Sequence, residues 1–162
     1  MLIAPATESD APPITEIWNH YIRETIATFN SVEQSISEIE QMIADKSTKD
    51  HPFLVAREED GVVGFATYGE FRSGAGYARV VEHTIQLRPD AQGKGVGRAL
   101  MSRLEVHGKS HKLHSFFAGI SGENIDGIKF HEAVGFEHVT TIPKVGWKFD
   151  CWHDLILMRK EL

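Results

Sequence analysis

The segment Gln86-Leu87-Arg88-Pro89-Asp90-Ala91-Gln92-Gly93-Lys94-Gly95-Val96-Gly97-Arg98-Ala99-Leu100 decides the fold of this chain. It has the pattern of a strand end, a short turn, a glycine-rich loop and the first turn of an amphipathic helix. Glycines at a helix N-terminus expose backbone N–H groups, and the helix dipole adds positive potential there. The segment therefore predicts a cradle for a pyrophosphate.

Two common phosphate-binding loops do not match this segment. A Walker loop ends in Gly-Lys-Ser/Thr, whereas here Lys94 precedes Gly95 and no hydroxyl residue follows to hold magnesium. A dinucleotide-binding loop has the spacing G-x-G-x-x-G and an acidic residue about 20 positions later. The chain instead has G-x-G-x-G from Gly93 to Gly97, and no acid in the matching region 116–119. Glycine-rich turns also occur for packing alone, and that alternative stays open at this point.

The composition is that of an ordinary globular domain. With 162 residues, 41% of them hydrophobic and 25% charged, the chain is expected to form one domain over 1–162. A net charge of −6 argues against a nucleic-acid partner, because such partners need a basic face. No apolar run approaches the length of a membrane span and the first residues do not form a signal peptide. We therefore expect a cytoplasmic protein with no membrane partner.

The histidines and the cysteine do not predict a metal site. A single cysteine, Cys151, excludes an intrachain disulfide and argues against a thiolate zinc site. Among nine histidines, His107, His111 and His114 are close in sequence. The first two fall at a helix end and in the following loop, where solvated basic residues are expected. No HExxH motif occurs, so no metal is expected.

Hydrophobic periodicity divides the chain into alternating strands and helices. The predicted elements are strands over 2–4, 53–58, 62–68, 78–87, 116–120, 137–142 and 154–159, and helices after Asp10, from Ser35, over 96–106 and over 124–134. Asp60-Gly61 predicts a hairpin. Ser35 and Glu38 predict a capping box, with Ile36 facing inward. An aromatic loop is expected over 147–152. This order predicts an α/β fold with a mixed, mostly antiparallel central sheet and helices on both faces.

The order Gln-Gly-Lys-Gly-Val-Gly, after a strand and opening a helix, resembles the acyl-CoA loop of the GNAT N-acetyltransferases. Further segments resemble the phosphinothricin and methionine sulfoximine acetyltransferase branch of that family. They are Asn19-His20-Tyr21-Ile22, Thr28-Phe29, Val81-Glu82-His83-Thr84, Phe130-His131-Glu132-Ala133-Val134-Gly135-Phe136, and Gly146-Trp147-Lys148 with Trp152-His153-Asp154. The resemblance covers nearly the whole chain. It implies a single-domain GNAT-like fold, acetyl-CoA as the co-substrate, and a homodimer.

The resemblance also implies which residues hold acetyl-CoA. The main chain of Ile85, Gln86 and Leu87 is expected to pair with the pantetheine arm as an extra strand would. Asn124 is expected to hold a pantetheine amide, although a helix N-cap would look the same in sequence. The remaining cofactor-binding residues are those of the loop: Gln92, Gly93, Lys94, Gly95, Val96, Gly97 and Arg98.

Glu82 and His131 are the candidate catalytic residues. An alkyl amine has a pKa of about 10 and must lose a proton before it attacks a thioester. Glu82 lies on the strand that leads to the loop, where a carboxylate can act as general base, directly or through a water. Backbone N–H groups near Leu87 are expected to stabilise the oxyanion. Many relatives have a tyrosine where this chain has His131, whose role as acid, base or structural residue stays open.

The acceptor side rests on aromatic and cationic residues. The predicted substrate-binding residues are Phe29, Arg72, Ala75, Gly76, Tyr77 and Trp147. The three aromatic side chains among them are expected to line one apolar cleft beside Glu82. Relatives use a basic residue at position 74 to hold a substrate carboxylate, and this chain has glycine there. Arg72 or Lys148 is therefore the candidate for that contact.

The predicted function is an acetyl-CoA-dependent N-acetyltransferase for the α-amine of a small amino acid or analogue. Methionine sulfoximine, methionine sulfone and phosphinothricin are the candidates that the resemblance implies. One alternative is acetylation of a protein N-terminus. Another is a non-catalytic acyl-CoA sensor, against which the presence of both Glu82 and His131 argues.

Overall fold

Seven strands form one sheet, in the order β1-β2-β3-β4-β5-β7-β6, in the computed structural model of residues 1–162. The strands are β1 Leu2–Pro5, β2 Phe53–Glu58, β3 Gly61–Glu70, β4 Val80–Leu87, β5 Ser115–Ser121, β6 Glu137–Lys148 and β7 Cys151–Glu161. The helices are α1 Ala11–Glu24, α2 Ile36–Thr48, α3 Val96–Ser110 and α4 Ile125–Ala133. Every neighbouring pair is antiparallel except β4 and β5. The predicted mixed sheet is confirmed. None of the helices has the length and apolar character needed to span a membrane.

Helices cover both faces of the sheet, as the sequence predicts. The α1 face, covered by α1 and α2, has a core in which Phe65 of β3 packs with Ile14 and Ile39. The α3 face, covered by α3 and α4, has a core in which Tyr68 of β3 packs with Leu100. Neighbouring strand residues point to opposite faces, so one strand supplies both cores. This alternation also decides on which face each candidate site residue lies.

A β-bulge at Val63 aligns β3 with the end of β4. Ala56 pairs with Gly64 and Arg57 pairs with Val62, so Val63 is the extra residue. Its carbonyl oxygen accepts the backbone N–H of Arg88 at 2.8 Å. The bulge therefore fixes the chain where β4 ends and the glycine-rich loop begins.

Strands β4 and β5 diverge in the middle of the sheet. They pair only over Val80–Glu82, after which β5 continues beside β7 and β4 continues beside β3. The N–H of Arg88 and the C=O of Val80 are bonded toward β3, so alternation directs the backbone groups of Ile85 and Leu87 to the other edge. That edge has no partner strand. The divergence leaves a free strand edge between Glu82 and the loop.

The closing strands β6 and β7 are longer than predicted. Only Phe149 and Asp150 separate them, and both have left-handed φ values, 50° and 56°. A two-residue turn with positive φ at both positions matches the twist of a hairpin. The expected aromatic loop over 147–152 is therefore wrong, because most of those residues extend the strands. The turn consists of Phe149 and Asp150 and contains no glycine, so the sequence carries no signal for a two-residue hairpin there.

Smaller differences concern element ends and one side chain. Helix α3 continues to Ser110 rather than residue 106, and β4 begins at Val80 because Ala75–Tyr77 form a 3₁₀ turn. The Ser35–Glu38 capping box is confirmed, with the Glu38 N–H donating to Ser35 Oγ at 3.2 Å. Ile36 is 45% exposed rather than buried, because it is the first helical residue after the cap.

Candidate active site

The glycine-rich loop owes its glycines to two different causes. Gly93 and Gly95 have φ values of 73° and 84°, and a Cβ at either position would meet no atom within 4 Å. Backbone conformation, not packing, requires glycine there. At Gly97 a Cβ would lie 2.9 Å from the ring of Phe130, so this glycine allows α3 to approach α4. Packing alone explains only the third glycine.

The loop presents a row of unused backbone donors. From Gly93 to Arg98, six consecutive N–H groups make no hydrogen bond within the protein. The side chains of Lys94 and Arg98 are exposed and form no ion pair. Unpaired amides at a helix N-terminus, with two free cations beside them, fit a pyrophosphate.

Tyr21 connects the loop with α1 and β4. Its hydroxyl donates to the carbonyl oxygen of Leu87 at 2.7 Å and accepts from Gln92 Nε2 at 3.0 Å. Partial burial raises the pKa of Tyr21, so the hydroxyl stays a donor. Sequence reasoning did not assign Tyr21 a site role. A tyrosine on an apolar helix stripe signals such a contact, because its hydroxyl needs a partner when buried.

The carboxylate of Glu82 lies on the α1 face at the point where β4 leaves β5. Glu82 pairs with Gly69 on one side and with Phe117 on the other. A Cβ on Gly119 would lie 2.8 Å from Glu82 Oε1, so the glycine leaves room for the carboxylate. Beside it, Phe71 and Phe117 stack with ring centroids 4.3 Å apart. Sequence reasoning missed Phe71, Phe117 and Gly119.

Glu82 has the properties of a proton acceptor. Its carboxylate makes no hydrogen bond or ion pair within the protein, and its side chain is exposed. Desolvation by the surrounding protein raises the pKa of Glu82 above its ordinary value. A solvent-accessible carboxylate with a raised pKa can take up a proton from a bound acid without first breaking another contact.

His131 lies on the opposite face of the sheet and is buried against His83. Its Nδ1 is 2.6 Å from the carbonyl oxygen of Gly127, and its Nε2 is 3.0 Å from His83 Nε2. His83 Nδ1 is 3.0 Å from the carbonyl oxygen of Phe117. Burial lowers the pKa of His131, and burial together with the charge of His131 lowers that of His83 to about 3. Both rings are therefore neutral at pH 7.

Two neutral rings carry two N–H protons for these three contacts. The carbonyl oxygen of Gly127 can only accept and its contact is the shortest, so His131 Nδ1 donates to it. The second proton belongs to His83, whose contacts with Phe117 and with His131 Nε2 are equal at 3.0 Å. Both nitrogens of His131 are then occupied inside the protein. In this arrangement the ring holds α4 against β4 and contacts no open surface.

Asn124 is the N-cap of α4. Its Oδ1 accepts the N–H of Gly127 at 3.0 Å, whereas its Nδ2 donates to no protein atom. Gln86 has a buried Oε1 with no donor, the one such side-chain atom in the structure. Buried polar atoms are normally paired, so a ligand or water is expected near Gln86. Both side chains therefore keep a polar group that no protein atom uses.

The predicted aromatic cleft does not form within one chain. Phe29 packs on Gly146 and stacks with His153 at 6.0 Å, on the α1 face. Trp147 points to the opposite side of β6, where it contacts Trp152 at 5.1 Å. Neighbouring residues of a strand face opposite ways, so Phe29 and Trp147 are separated by the hairpin itself. The expectation of one shared cleft is wrong.

Tyr77 is also apart from Phe29. It lines a cavity of about 190 Å³ with Asp50 and His111, and Glu82 does not line that cavity. The Arg72 guanidinium lies over the Tyr77 ring, 5.8 Å from its centroid, and forms no ion pair. Its charge is available to a ligand. Ala75 and Gly76 are exposed in the same 3₁₀ turn.

Lys148 is a structural cation. Its side chain is 3% exposed, and its Nζ donates to the carbonyl oxygens of Thr25 at 2.7 Å, Thr28 at 2.8 Å and Tyr21 at 3.3 Å. Burial lowers its pKa. An ammonium has three donors, and all are used at the end of α1. The prediction that Lys148 is available to a substrate carboxylate is therefore wrong.

Comparison with known proteins defines the family. The model of the acetyltransferase (GNAT) domain matches residues 3–157. The L-methionine sulfoximine/L-methionine sulfone acetyltransferase of Salmonella typhimurium is 35% identical over 162 residues, which cover 100% of this chain and 95% of that protein. The chain belongs to the GNAT acetyltransferase family, and it is an N-acetyltransferase.

Two solved structures share the whole fold. A phosphinothricin acetyltransferase from Sinorhizobium meliloti, in complex with AcCoA, has a TM-score of 0.94 and 31% identity, covering 99% of this chain and 88% of that one. A ribosomal-protein-alanine N-acetyltransferase from Brucella melitensis has a TM-score of 0.96 and 35% identity, covering 100% of both chains. The single-domain GNAT fold is confirmed.

Proposed function

We propose that this chain transfers the acetyl group of acetyl-CoA to the α-amine of a small amino acid analogue, namely methionine sulfoximine, methionine sulfone or phosphinothricin. The observation that carries the proposal is the continuity of three features along β4. The free carboxylate of Glu82, the strand edge with the unpaired backbone groups of Ile85 and the N–H of Leu87, and the unused amides from Gly93 to Arg98 follow one another in the chain.

The loop and the strand edge fit the two parts of coenzyme A. The N–H groups from Gly93 to Arg98, with Lys94, supply donors and positive charge for the pyrophosphate. The unpaired backbone groups of Ile85 can bond the amides of the pantetheine arm as a neighbouring strand would. The free Nδ2 of Asn124 supplies a further donor. Acetyl-CoA supplies an activated acetyl thioester, and no metal is needed.

Glu82 acts in this proposal as the general base. Its raised pKa and its freedom from other partners suit it to accept the proton of the substrate ammonium, directly or through a water. The N–H of Leu87 points to the same free edge and can donate to the oxyanion. The next peptide of the chain is held by Tyr21, which donates to the carbonyl oxygen of Leu87.

His131 acts as a positioning residue. Both of its ring nitrogens are engaged, with Gly127 and His83, so it reaches the reacting atoms only through the placement of α4. A role as direct acid would require the pair to separate. Its test is the pH profile of His131→Gln: a positioning residue changes kcat at every pH, whereas a direct acid also removes one limb of the profile.

The acceptor is expected to lie beside Glu82, between the apolar side chains of that face and the cation of Arg72. The stacked rings of Phe71 and Phe117 give an apolar wall. Phe29 lies on the same face of the sheet, and the unpaired guanidinium of Arg72 is available to a carboxylate. Methionine sulfoximine and sulfone carry less side-chain charge than phosphinothricin, which suits a site with glycine at position 74.

We also propose that the enzyme is a homodimer and works in the cytoplasm, where acetyl-CoA is available. Strand β6 is a 12-residue edge strand, and apolar side chains on its hairpin are exposed. They are Val139, Ile142, Val145, Trp147, Phe149 and Trp152. An exposed apolar edge favours pairing with a second copy. Light scattering on wild type and on Trp147→Glu tests the dimer.

Thiol release from acetyl-CoA tests the function. The enzyme is incubated with free methionine sulfoximine, methionine sulfone and phosphinothricin, and in parallel with peptides that begin with alanine. Release with the amino acid analogues supports the proposal. Release only with the peptides would assign N-terminal acetylation, the activity in the name of the Brucella melitensis structure. Binding without release in either series would assign a sensor.

A further inference from the structure

A cluster of two histidines and a carboxylate lies apart from the acetyltransferase site. His107 and His111 follow each other by one turn at the end of α3, with parallel rings 4.0 Å apart. Asp50 approaches them from the loop between α2 and β2, and its Oδ2 is 2.7 Å from His111 Nε2. One ligand atom from each of the three lies within 4.8 Å of the others.

A second set of contacts orients both rings. His107 Nδ1 lies 2.7 Å from the hydroxyl of Tyr68, and His111 Nδ1 lies 2.9 Å from the carbonyl oxygen of His107. Each histidine therefore has its Nδ1 engaged, while Nε2 of His107 has no protein partner and Nε2 of His111 faces the carboxylate of Asp50. Histidines that bind metals show this arrangement, since a partner on one nitrogen fixes the other toward the ion.

We propose that Asp50, His107 and His111 form a binding site for a divalent transition metal of the zinc class. Two imidazoles and one carboxylate are the ligands that Zn²⁺, Co²⁺ and Ni²⁺ accept. The proton now shared by His111 and Asp50 is released as the metal takes its place. The inference does not depend on the acetyltransferase function, because Glu82 and the glycine-rich loop contribute no ligand.

A metal-binding geometry requires one imidazole ring to rotate and Asp50 to move, because the in-plane lone pairs of two parallel rings 4.0 Å apart do not converge. Ligand atoms around tetrahedral zinc lie roughly 3.3 Å apart, given bonds of about 2.0–2.1 Å. The separations of up to 4.8 Å must therefore contract, and the side chain of Asp50 is 79% exposed and free to rotate. Asp50 and His111 also line the cavity of about 190 Å³, so positions left open by three ligands have room for water.

The backbone already holds Asp50 in an uncommon conformation. Its φ of 53° places it in the left-handed region, which aspartate adopts more readily than most residues but still at a cost. The turn brings the end of α2, on one face of the sheet, to the end of α3 on the other. A metal bound there links helices of opposite faces.

Zinc titration of the untagged, metal-free protein tests the site. Calorimetry is expected to give one Zn²⁺ per chain, and Co²⁺ in its place is expected to give a visible absorption spectrum. Zinc at a hundredfold excess over Kd should raise Tm by about 5–10 °C. His111→Ala and Asp50→Asn should lose the bound metal, and Tyr68→Phe should weaken it by roughly 10- to 100-fold.

Matched controls separate this site from adventitious binding. His114→Ala and His138→Ala remove exposed histidines outside the cluster and should bind Zn²⁺ like wild type. Circular dichroism in a chelator shows that each variant is folded. Wild-type stoichiometry in His111→Ala, or no binding tighter than about 1 mM in wild type, would overturn the proposal.

Discussion

The hydroxyl of Tyr21 donates a hydrogen bond of 2.7 Å to the carbonyl oxygen of Leu87. This bond joins α1 to the last residue of β4. The same hydroxyl accepts a hydrogen bond from the side chain of Gln92, the residue that precedes the first loop glycine. One side chain thus anchors both the peptide that follows the proposed oxyanion donor, the N–H of Leu87, and the start of the proposed pyrophosphate cradle.

Tyr21→Phe is expected to lower kcat more than it lowers stability. The change removes one hydrogen bond, whose net contribution to the free energy of unfolding is about 0.5–1.5 kcal/mol. The end of β4 loses an anchor one peptide away from the proposed oxyanion donor, so kcat should fall several-fold with KM for acetyl-CoA raised as well. Steady-state kinetics and urea denaturation measure the two effects. Unchanged kinetics with reduced stability would make Tyr21 a purely structural residue.

Glu82→Gln is expected to lower kcat by about 100- to 10,000-fold, the range for a lost general base. Desolvation raises the pKa of the Glu82 carboxyl group above its ordinary value. Wild-type activity should therefore fall as the pH drops through that raised pKa, because the base becomes protonated. The loss in the variant should shrink at high pH, where the amine arrives deprotonated. Glu58→Gln, an exposed glutamate at the end of β2, is the control. Near-normal activity of Glu82→Gln at pH 7 would place the base elsewhere.

Gly95→Val is expected to abolish acetyl-CoA binding while the protein stays folded. Gly61, in the β2–β3 hairpin, offers a matched control, because it also has a positive φ, 113°, and open space around its Cα. Valine at either position should cost about 1–3 kcal/mol in backbone strain. Calorimetry should show lost cofactor binding only in Gly95→Val. Near-normal affinity in that variant would contradict the pyrophosphate assignment.

Arg72→Ala is expected to reduce kcat/KM for both methionine sulfoximine and phosphinothricin. Removing a charge-assisted hydrogen bond to a carboxylate costs about 1.5–3 kcal/mol, or roughly ten- to a hundredfold in affinity. In wild type the sulfoximine should have the higher kcat/KM, because position 74 lacks a cation. Arg103→Ala, on the exposed side of α3, is the control. Wild-type values in Arg72→Ala would show that another group holds the carboxylate.

The buried His83–His131 pair is expected to make the fold sensitive to acid. Burial lowers the pKa of His83 to about 3, below the value of about 6.5 in an unfolded chain. Between these values the unfolded state binds more protons, so the free energy of unfolding falls as pH falls. His83→Leu should weaken that slope between about pH 6.5 and pH 4, and His138→Leu should not. Equal slopes in urea denaturation would contradict neutral burial of the pair.

The sequence predicts the parts of the site that depend on local chemistry. Glycines before a helix and a glutamate on the preceding strand imply a cradle and a base, and the structure brings both to one strand. The capping box at Ser35 is equally local. What the sequence cannot give is the direction of a side chain whose neighbours come from distant segments. Phe71 and Phe117 meet only because β3 and β5 flank β4.

The errors have the same physical origin. Trp147 and Phe29 were expected together because both are aromatic, but a strand separates them through its alternation. Nothing in the sequence around Lys148 distinguishes it from an exposed lysine. It is buried because three carbonyl oxygens at and after the end of α1 accept hydrogen bonds from its ammonium. Asp50 lies 57 positions before His107, so no local pattern reveals their approach.

Because β4 and β5 diverge, the sheet consists of two groups of strands, β1–β4 and β5–β7, that pair with each other over a short segment. The strand pairing between β1–β4 and β5–β7 is limited to three residue pairs, over Val80–Glu82. A ligand strand lying along Ile85 and Leu87 would complete the interrupted ladder and stiffen the molecule across its centre. The reaction would then take place between β4 and β5, and the pantetheine arm would be a structural part of the sheet while it is bound.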